Sequence, residues 1–527
     1  MIRKAMQVLQ SETSREIISR NPTTGEELGR APLIGADGVT LAVARARAAQ
    51  PAWAGWPLKQ RSKIIREARR IVLEEMEEIA ALISRETGKP VAEAISMEIV
   101  PTLDLMNYFA RRAGWLQKSQ KIDIGQYGLM GRSSRIVYQP LGVVGIISPW
   151  NFPWATPLDE VVMALIVGNT VVLKPSELTP LTGLRIGVVF RKAGLIDGAL
   201  QILTGDGTTG AALVEAGVDK LMFTGSVATG KRVAEAAAKH LVPVVLELGG
   251  KDPMIVFEDA HLDNAARGAV WGAFANAGQA CAAVERCYVQ ESVATAFVER
   301  VINETKSLKQ ASPETPEVDI AGMTSERQLQ TVERHVEDAI RKGAALQTGG
   351  QRVENKTGWY YEPTVLTNVN HGMAIMREET FGPVLPITTF KTEDEAVGLA
   401  NDSIYGLTAS VWTRDIARGK RVALKIEAGT VMVNEAVYTH GIASTPWGGV
   451  KQSGYGRTHG RLGLLELVTP KHIHVNRAFF LPDLWWFHYN LNAGRLFRGL
   501  ARHFTTGSIL RTSLLLPQMI RRLWERR

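Results

Sequence analysis

The spacing of apolar residues changes along the chain, and each change predicts a different kind of element. Residues 22–34 predict a β-hairpin with its turn at Thr24-Gly25. From about Val39 to Trp115, apolar residues recur every three or four positions, which predicts successive amphipathic helices. Between Gln117 and Tyr138, a shorter alternating pattern predicts two strands that project from the body.

Short apolar runs alternate with helical segments from Val143 onward. Strands are predicted at Val143–Ser148, Thr170–Leu173, Gln201–Thr204, Lys220–Thr224 and Val242–Glu247, and helices at Leu158–Val167, Leu181–Ala193, Thr209–Glu215 and Gly230–Ala238. This alternation predicts a parallel sheet covered by helices, which is the outline of a dinucleotide-binding domain. A second alternating region, from about Met254 to Val433, predicts a second domain of the same α/β class.

Chain length indicates the number of domains, and the distribution of charge limits the kinds of molecule that the protein binds. A chain of 527 residues is several times a typical domain, so we expect two or three domains. The net charge is +8, but Lys471–Arg527 holds ten Lys and Arg against two Asp and Glu and accounts for the whole excess. The first 470 residues are balanced, which argues against a nucleic-acid enzyme.

Two cysteines in the whole chain argue against a disulfide framework and favour a reducing, cytoplasmic compartment. The N-terminus lacks the apolar segment of a signal peptide. The longest uncharged run, Ile136–Leu158, contains several prolines, so it predicts a strand and a loop rather than a membrane span.

Cys281 is the candidate nucleophile. It follows Gly278-Gln279-Ala280, whose small residues would let a carbonyl group and a planar cofactor approach the thiol. Cys287 is too far along the chain for a C-x-x-C redox pair, and no His or Cys cluster completes a zinc site. The alternative for either cysteine is a small buried hydrophobic residue, and for Cys287 this is our interpretation.

Two further stretches carry candidate polar groups. Glu247 ends an apolar strand and precedes Gly249-Gly250, where desolvation would raise its pKa as a general base requires. The alternative is a solvent-facing glutamate or one paired with Lys251. Asn151, between aromatic residues and prolines, could donate a hydrogen bond in an oxyanion hole.

These three stretches together resemble the aldehyde dehydrogenase superfamily. The motifs are Pro149-Trp150-Asn151-Phe152-Pro153, Lys174-Pro175-Ser176-Glu177, Phe223-Thr224-Gly225-Ser226, Glu247-Leu248-Gly249-Gly250-Lys251, Gly278-Gln279-Ala280-Cys281, Glu378-Glu379-Thr380-Phe381-Gly382-Pro383 and Gly448 to Gly454. The resemblance covers roughly residues 20–476. It implies that Cys281 attacks an aldehyde, that Asn151 and the Cys281 N–H stabilise the oxyanion, and that Glu247 activates water for thioester hydrolysis.

The resemblance also implies a nicotinamide cofactor. The cofactor-binding positions that it implies are Trp150, Lys174, Ser176, Glu177, Gly225, Ser226, Glu379 and Phe381. Gly225 and Gly230 form a G-x-x-x-x-G spacing, which is a weak signal on its own. Glu177 near the ribose would repel a 2′-phosphate, so NAD is favoured over NADP. The histidines are scattered and suggest no metal.

The same resemblance implies a domain plan with a Rossmann-type cofactor domain, a catalytic domain and a small β oligomerisation arm. The cofactor domain would comprise 1–120, 139–247 and 438–467, the catalytic domain 248–437, the arm 121–138 with 468–476, and a helical C-terminal extension 477–527. A homodimer is favoured over a tetramer.

The extension, residues 477–527, mixes arginines with aromatic residues and lies outside the resemblance. Ala493–Phe504 and Leu514–Arg526 predict basic amphipathic helices, and no run reaches the length of a membrane span. Such a tail suits peripheral contact with an anionic membrane surface at the cytoplasmic face. Packing against a neighbouring subunit is an equal alternative, and nucleic-acid binding is a distant third.

The resemblance therefore implies oxidation of an aldehyde to a carboxylic acid. The tail and the Gly-Gln-Ala-Cys-Ala sequence suggest an apolar, medium-chain, long-chain or polyenic aldehyde and resemble a branch that includes diapolycopenedial dehydrogenase-like enzymes. The alternatives are a succinate-semialdehyde-type enzyme, a coenzyme-A-acylating enzyme, and an inactive membrane-associated scaffold.

Overall fold

A computed structural model describes residues 15–354, 356–503 and 509–525. The N-terminal segment 1–14, where the sequence predicts no signal peptide, lies outside these ranges. The chain divides into two compact units. The first unit covers Met1–Ala113 and Pro140–Leu467, and the second covers Gly114–Gln139 and Val468–Arg527, each so far as its residues are described.

The strands are, in chain order, β1 Glu16–Arg20, β2 Glu27–Pro32, β3 Gln120–Ile122, β4 Arg132–Pro140, β5 Val143–Ile147, β6 Thr170–Lys174, β7 Leu200–Ile202, β8 Lys220–Thr224, β9 Val244–Glu247, β10 Asp252–Val256, β11 Val284–Gln290, β12 Ala345–Thr348, β13 Thr364–Thr367, β14 Val384–Phe390, β15 Thr408–Trp412, β16 Thr430–Val433, β17 Gly454–Tyr455 and β18 Val468–Asn476. A hairpin is present as β1 and β2, and its turn contains Gly25 at a φ of 77°, as predicted. Its first strand, however, lies before the predicted range of 22–34.

The α-helices are α1 Ala36–Gly55, α2 Leu58–Glu74, α3 Met76–Thr87, α4 Val91–Glu93, α5 Val100–Arg112, α6 Gln126–Leu129, α7 Ala155–Val167, α8 Pro180–Lys192, α9 Gly207–Glu215, α10 Val227–Ala238, α11 Leu262–Phe274, α12 Ala294–Ser307, α13 Glu326–Arg341, α14 Ala374–Arg377, α15 Glu393–Asn401, α16 Ile416–Ala423, α17 Gly460–Leu465, α18 Leu491–His503, α19 Ile509–Ser513 and α20 Leu516–Trp524. A π-helical segment, Ala94–Ile99, joins α4 to α5, and short 3₁₀ turns occupy 113–117, 275–278, 291–293, 438–441 and 451–453.

A six-stranded sheet in the first unit has the order β17-β9-β8-β5-β6-β7 and is parallel except at β17. Its central strands are short apolar runs buried on both faces, as a parallel sheet between helices requires. The chain moves outward from β5 through β6 to β7 and then returns to β8 on the other side of β5. Ligands of open parallel sheets bind at such a switch point, beyond the carboxyl ends of the strands.

A seven-stranded sheet in the same unit has the order β12-β13-β14-β11-β10-β15-β16 and is antiparallel only at β12. Apolar residues of its strands and of α11–α13 form one large core. Cys287 lies in this core on β11 and is completely buried, as our interpretation of it requires.

The second unit contains a three-stranded sheet of order β18-β4-β3 and the helices of the extension. The two strands predicted between Gln117 and Tyr138 are present as β3 and β4, with the unpredicted helix α6 between them. The two predicted tail helices correspond to α18 and α20, so far as their residues are described, and α19 was not predicted. None of the helices within the described ranges combines the length and apolar character needed to cross a bilayer.

The extension has a small core of its own. Leu484, Leu496, Leu500 and Leu515 are buried together, and Met130 packs against them. The ring of Trp485 stacks on Phe497 at a centroid distance of 5.6 Å. Part of the apolar content of the tail therefore holds the tail itself together.

Candidate active site

Cys281 lies in a loop that turns back sharply after α11. Asn276, Ala277 and Gly278 all have left-handed backbone conformations, with φ values of 54°, 53° and 71°. A side chain at position 278 would not fit, because a Cβ there would lie 2.1 Å from the Gly382 carbonyl oxygen. The small residues of the cysteine motif therefore allow the backbone of this loop to lie close to the backbone at Gly382.

Side-chain amides fix the loop against the Asn151 segment. The Asn276 amide donates to the carbonyl oxygens of Asn151 (3.1 Å) and Gln279 (3.0 Å), and the Asn151 amide also donates to the Gln279 carbonyl (3.0 Å). Gln279 in turn accepts from the Thr324 N–H (3.0 Å) through its side-chain oxygen. The Asn151 amide nitrogen carries two hydrogens, and only one of them is used by Gln279.

A buried ion pair holds the Asn151 segment from the other side. The Lys89 ammonium donates to Glu98 (2.6 Å) and to the Asn151 carbonyl (2.7 Å), and Glu98 accepts from the Trp154 and Ala155 N–H groups. Both charged side chains are fully buried. This pair could not be predicted from the sequence, because single Lys and Glu residues are usually exposed.

Glu247 ends β9 and is 6% exposed. Neither of its carboxylate oxygens accepts a well-formed hydrogen bond from any residue that the structure describes. Burial raises the pKa of Glu247 to about 8, against weaker opposing effects of Arg457 and Trp447. Lys251 pairs instead with Glu285 and the Thr380 hydroxyl, so the alternative of a solvent-facing or Lys251-paired Glu247 is excluded.

The Cys281 thiol is half-buried at the edge of the same space. Burial, together with the negative charges of Asp252, Glu247 and Glu379, raises the pKa of the thiol above its usual range. The Cys281 backbone N–H has no acceptor among the described residues and remains available to a substrate oxygen.

Two cavities meet at Cys281. The first, of about 230 Å³, is lined by residues that include Trp150, Asn151, Gly225, Ser226, Glu247, Gly249, Cys281, Glu379 and Phe381. The second, of about 430 Å³, is lined by Ser96, Met97, Val100, Pro101, Asp104, Phe152, Ala155, Thr156, Trp271, Ala280, Cys281, Ala282, Val437, Tyr438, His440, Gly441 and Trp447. The Cys281 thiol can therefore contact one ligand in each of the two cavities.

The first cavity opens at the switch point of the six-stranded sheet, between the segments that follow β5 and β8. Ser226 caps α10 by accepting from the Thr229 N–H (3.3 Å), and the buried Thr224 hydroxyl has no partner among the described residues. Glu379 lines the cavity and accepts from the Gly250 N–H (3.1 Å), and Phe381 meets Trp150 edge-on at 5.6 Å. A helix N-terminus and an unpaired hydroxyl at this position suit a dinucleotide.

Three expected cofactor residues lie outside the first cavity. Lys174, Ser176 and Glu177 follow β6, the strand next to β5. Lys174 is buried and bonds the half-exposed Glu177 at 3.2 Å, and the Ser176 hydroxyl accepts from the Leu178 N–H at 3.2 Å. They lie at the same edge of the sheet as the cavity, where a ligand that continues beyond it would meet them.

The first cavity also contains four ionisable residues that the sequence analysis missed: Asp159, Glu160, His440 and His459. Burial raises the pKa of Asp159 to about 7 and that of Glu160 well above its usual range, and lowers the pKa of both histidines to about 4. These residues belong to no shared motif and are distant in sequence, so only the fold brings them together.

The model of the aldehyde dehydrogenase family matches residues 9–473. The chain is 38% identical over 483 residues to 4,4′-diapolycopene aldehyde oxidase from Methylomonas sp, covering 92% of this chain and 90% of that protein. It is 41% identical over 459 residues to a putative succinate-semialdehyde dehydrogenase (NADP+) 2 from Mycobacterium bovis, covering 87% and 88%.

Solved structures of aldehyde dehydrogenases are also similar to this chain. An NAD-dependent aldehyde dehydrogenase from Sinorhizobium meliloti superposes with a TM-score of 0.85 at 39% identity, covering 90% of this chain and 93% of that chain. A Mycobacterium tuberculosis aldehyde dehydrogenase complexed with NAD+ superposes with a TM-score of 0.84 at 36% identity, covering 88% and 95%. The predicted fold class, family resemblance and nicotinamide cofactor are confirmed.

Proposed function

This chain belongs to the aldehyde dehydrogenase family and is an NAD(P)-dependent enzyme, and on that premise we propose that it oxidises an apolar aldehyde to the carboxylic acid. The observation that carries the proposal is the lining of the second cavity. Most of that lining is apolar or aromatic, including Met97, Phe152 and Trp271. Such a surface suits a hydrocarbon chain whose carbonyl reaches Cys281.

The charge of the same cavity argues against a semialdehyde that carries a carboxylate. Among the described residues that line the cavity, none is Lys or Arg, and the carboxylate is Asp104, an exposed residue. A bound carboxylate would lose water without gaining a cationic partner, and it would face a like charge. We therefore place the apolar aldehyde ahead of succinate semialdehyde.

Cys281, Asn151 and Glu247 each have a role in the proposed reaction. The Cys281 sulfur adds to the aldehyde carbon and forms a thiohemiacetal. The negative oxygen accepts hydrogen bonds from the Cys281 N–H and from the second N–H of the Asn151 amide, which the Lys89–Glu98 pair holds in place. Because the thiol pKa is raised, its proton must pass to a base before or during attack, and Glu247 lines the same cavity.

Bound NAD or NADP supplies the hydride acceptor that converts the thiohemiacetal to a thioester. Gly225, Ser226, Trp150, Glu379 and Phe381 would hold the cofactor in the first cavity, with Lys174, Ser176 and Glu177 beyond it. Glu247, ionised, then takes a proton from water, and the hydroxide releases the carboxylic acid from Cys281. By the family resemblance, Glu177 would lie near the adenosine ribose, where a carboxylate repels the 2′-phosphate of NADP, so we propose a higher kcat/KM with NAD than with NADP.

Replacing Asn151 by alanine should lower kcat by about 10²- to 10³-fold, because the oxyanion loses one of two donors. The measurement is steady-state NADH formation at saturating aldehyde. Asn151→Asp, of the same shape without the N–H donors, should lose at least as much. An Asn151→Ala variant that is folded and keeps its kcat would show that Asn151 does not bind the oxyanion.

A panel of aldehydes tests the proposed substrate class. With NAD and with NADP, we expect kcat/KM for long apolar and polyenic aldehydes to exceed that for succinate semialdehyde by at least about tenfold. Asp104→Lys, which puts a cation at the cavity, should narrow this gap by favouring the semialdehyde. Faster reaction of the wild-type enzyme with succinate semialdehyde would contradict the proposal.

We further propose that the extension contacts an anionic membrane surface. Trp486, Phe487 and Trp524 are 60%, 74% and 68% exposed, although the tail has a core of its own. The exposed face of α18 carries Arg495, Arg498 and Arg502. Aromatic side chains beside arginines suit insertion between anionic headgroups, where an apolar substrate would also be found.

Vesicle flotation tests this contact. The intact protein should bind vesicles that contain phosphatidylglycerol, bind pure phosphatidylcholine more weakly, and release in high salt. Replacing Trp486 and Phe487 by serine should weaken binding at least about tenfold, since two large apolar contacts are lost. Leu241→Ser is the control, because Leu241 is 91% exposed in the other unit. Binding unaffected by the double substitution, or absent in the intact protein, would favour packing of the tail on another subunit.

We propose a homodimer, because β18 is an edge strand of the three-stranded sheet and could pair with a second copy. Light scattering should give twice the mass of one chain, and a tetramer would contradict this proposal. The proposed domain plan puts the six-stranded sheet in the cofactor domain and the seven-stranded sheet in the catalytic domain. If the folded protein forms no NADH with any aldehyde, with or without coenzyme A, the inactive scaffold replaces the enzymatic proposal.

A further inference from the structure

Asp159, His440 and His459 converge at one wall of the first cavity. Asp159 lies on α7, His440 in the 3₁₀ turn 438–441, and His459 just before α17. Their potential ligand atoms all lie within 4.8 Å of one another. The His459 Nε2 atom is 3.3 Å from an Asp159 oxygen, and the two imidazole rings are 4.7 Å apart.

The cluster leaves strong polar atoms without partners. Asp159 and His459 are each 2% exposed, yet the Asp159 Oδ1 atom has no hydrogen-bond partner among the residues that the structure describes. The His459 Nε2 atom, although 3.3 Å from Asp159 Oδ2, forms no well-aligned hydrogen bond with a described residue. A buried polar atom without a partner costs about 1–3 kcal/mol, so such atoms are rare unless something absent from the chain satisfies them. Both of these atoms belong to groups that bind metal ions.

The backbone and a neighbouring hydroxyl orient His459. Its φ of 59° lies in the left-handed region, which is unfavourable for a residue with a side chain and must be imposed by the surroundings. The His459 Nδ1 atom lies 3.0 Å from the Thr458 hydroxyl. When that hydroxyl accepts the Nδ1 proton, Nε2 presents a lone pair towards Asp159 and His440, as in metal-bound histidines.

The surrounding carboxylates add to the case for a cation. One oxygen of Glu160 and both oxygens of Glu247 also lack partners among the described residues, and both side chains line the same cavity. Oxygens without well-formed hydrogen bonds therefore surround the cluster, and water molecules on a bound cation would donate hydrogen bonds to them.

We propose that Asp159, His440 and His459 form a binding site for a divalent late first-row transition metal, with Zn²⁺ the best fit. Two imidazoles and one carboxylate suit Zn²⁺ better than Mg²⁺ or Ca²⁺, which take oxygen ligands. Zinc at about 2.0–2.2 Å from each ligand places the ligand atoms about 3.4 Å apart, so the set must contract slightly. His440 is only half-buried and lies in a turn, so its ring can move to close the set.

Three protein ligands leave one tetrahedral position open. The cluster lines the cavity that also contains Cys281 and Glu247, so a bound metal would share this cavity with them. Whether this cavity holds a cation beside Cys281 and Glu247 would then depend on how much metal is available. The proposal concerns metal binding alone and stands whether or not the aldehyde specificity proposed above is correct.

Metal titration of the full-length protein tests the site. After treatment with a chelator, the protein is titrated with ZnCl₂ by calorimetry and with CoCl₂ by visible absorption. We expect one Zn²⁺ per chain, and a tetrahedral cobalt spectrum without a thiolate-to-metal charge-transfer band. His440→Gln, at a half-buried turn position, and Asp159→Asn, of unchanged shape, should each weaken binding at least about tenfold.

Two further variants test whether zinc binds at another place in the protein. His371→Gln removes another histidine that pairs with an aspartate. His371 lies 2.6 Å from Asp402, and no third ligand joins them in the part of the chain that the structure describes, so this variant should bind zinc normally. Cys281→Ser should also bind normally. The proposal is overturned if the folded wild-type protein binds no zinc, if Cys281→Ser removes the binding, or if His440→Gln and Asp159→Asn both keep it.

Discussion

Replacing Cys281 by alanine should abolish NADH formation from every aldehyde, with a fall in kcat of about 10⁴-fold or more. The thiol is the one sulfur at the junction of the two cavities within the described structure. Without it, no covalent intermediate can form, and a bound aldehyde has no route to a species that loses hydride readily. The measurement is NADH absorbance over long incubation at high enzyme concentration.

Cys287 supplies the matched control. It is completely buried in the core of the seven-stranded sheet, and burial raises its pKa. Cys287→Ala should therefore keep kcat within about threefold and lose only a little stability, since a small group leaves the core. A folded Cys281→Ala enzyme that still forms NADH, or a folded Cys287→Ala enzyme that does not, would reverse the assignment.

Replacing Glu247 by glutamine should separate the two halves of the reaction. We expect one rapid burst of NADH per active site, followed by turnover slowed by about 10²- to 10⁴-fold, because thioester hydrolysis loses its base. Glutamine has the same shape, and it removes a buried carboxylate that has no well-formed hydrogen bond among the described residues, so the fold should persist. Stopped-flow absorbance measures the burst.

The outcomes of this experiment distinguish the mechanisms. Loss of the burst itself would show that Glu247 is needed to activate Cys281 rather than to hydrolyse the thioester. Added coenzyme A should not restore turnover in Glu247→Gln if water is the natural acceptor. Restoration by coenzyme A would favour the acylating alternative.

The same residue sets a pH dependence. Burial disfavours the charged form of Glu247 and raises its pKa to about 8, so at pH 7 only about a tenth of the carboxyl groups can act as a base. When hydrolysis limits turnover, kcat should rise with pH and level off above about 8. Glu247→Gln should lack this rise, and an identical profile in both enzymes would assign the titration to another group.

The sequence predicted the elements that depend on local pattern. The strands β5, β6, β8 and β9 were expected from short apolar runs between turns, and their parallel order follows from the helices between them. Candidate site residues could be predicted where the chain concentrates them in motifs, as at Asn151, Glu247 and Cys281. These stretches carry unusual residue combinations that burial alone does not explain.

The remainder of the site depends on contacts between distant segments. The burial of Lys89 and Glu98 behind Asn151 cannot be read from a helical pattern, because a paired charge inside the protein and a solvated charge look alike in sequence. Asp159, His440 and His459 are brought together by elements far apart in the chain. Asn276 lies inside the cysteine motif, but its role depends on a left-handed turn that the sequence did not reveal.

In the C-terminal extension, too, the burial of particular residues could not be predicted from the sequence. Its basic and aromatic composition predicted amphipathic helices, and two of them are present. Which apolar residues would be covered was open, and the structure buries Leu484, Leu496, Leu500 and Leu515 in a core within the unit. The aromatic residues left exposed are therefore a smaller and better defined surface than the sequence indicated.

The central claim is that Cys281 carries the acyl group of an apolar aldehyde between the two cavities. Peptide mass mapping of Glu247→Gln after mixing with NAD and a long-chain aldehyde tests it most directly. We expect the mass of the corresponding acyl group on the peptide that contains Cys281, in an amount equal to the NADH burst. NADH formation without an acyl group on Cys281, or an acyl group on Cys287, would contradict the account.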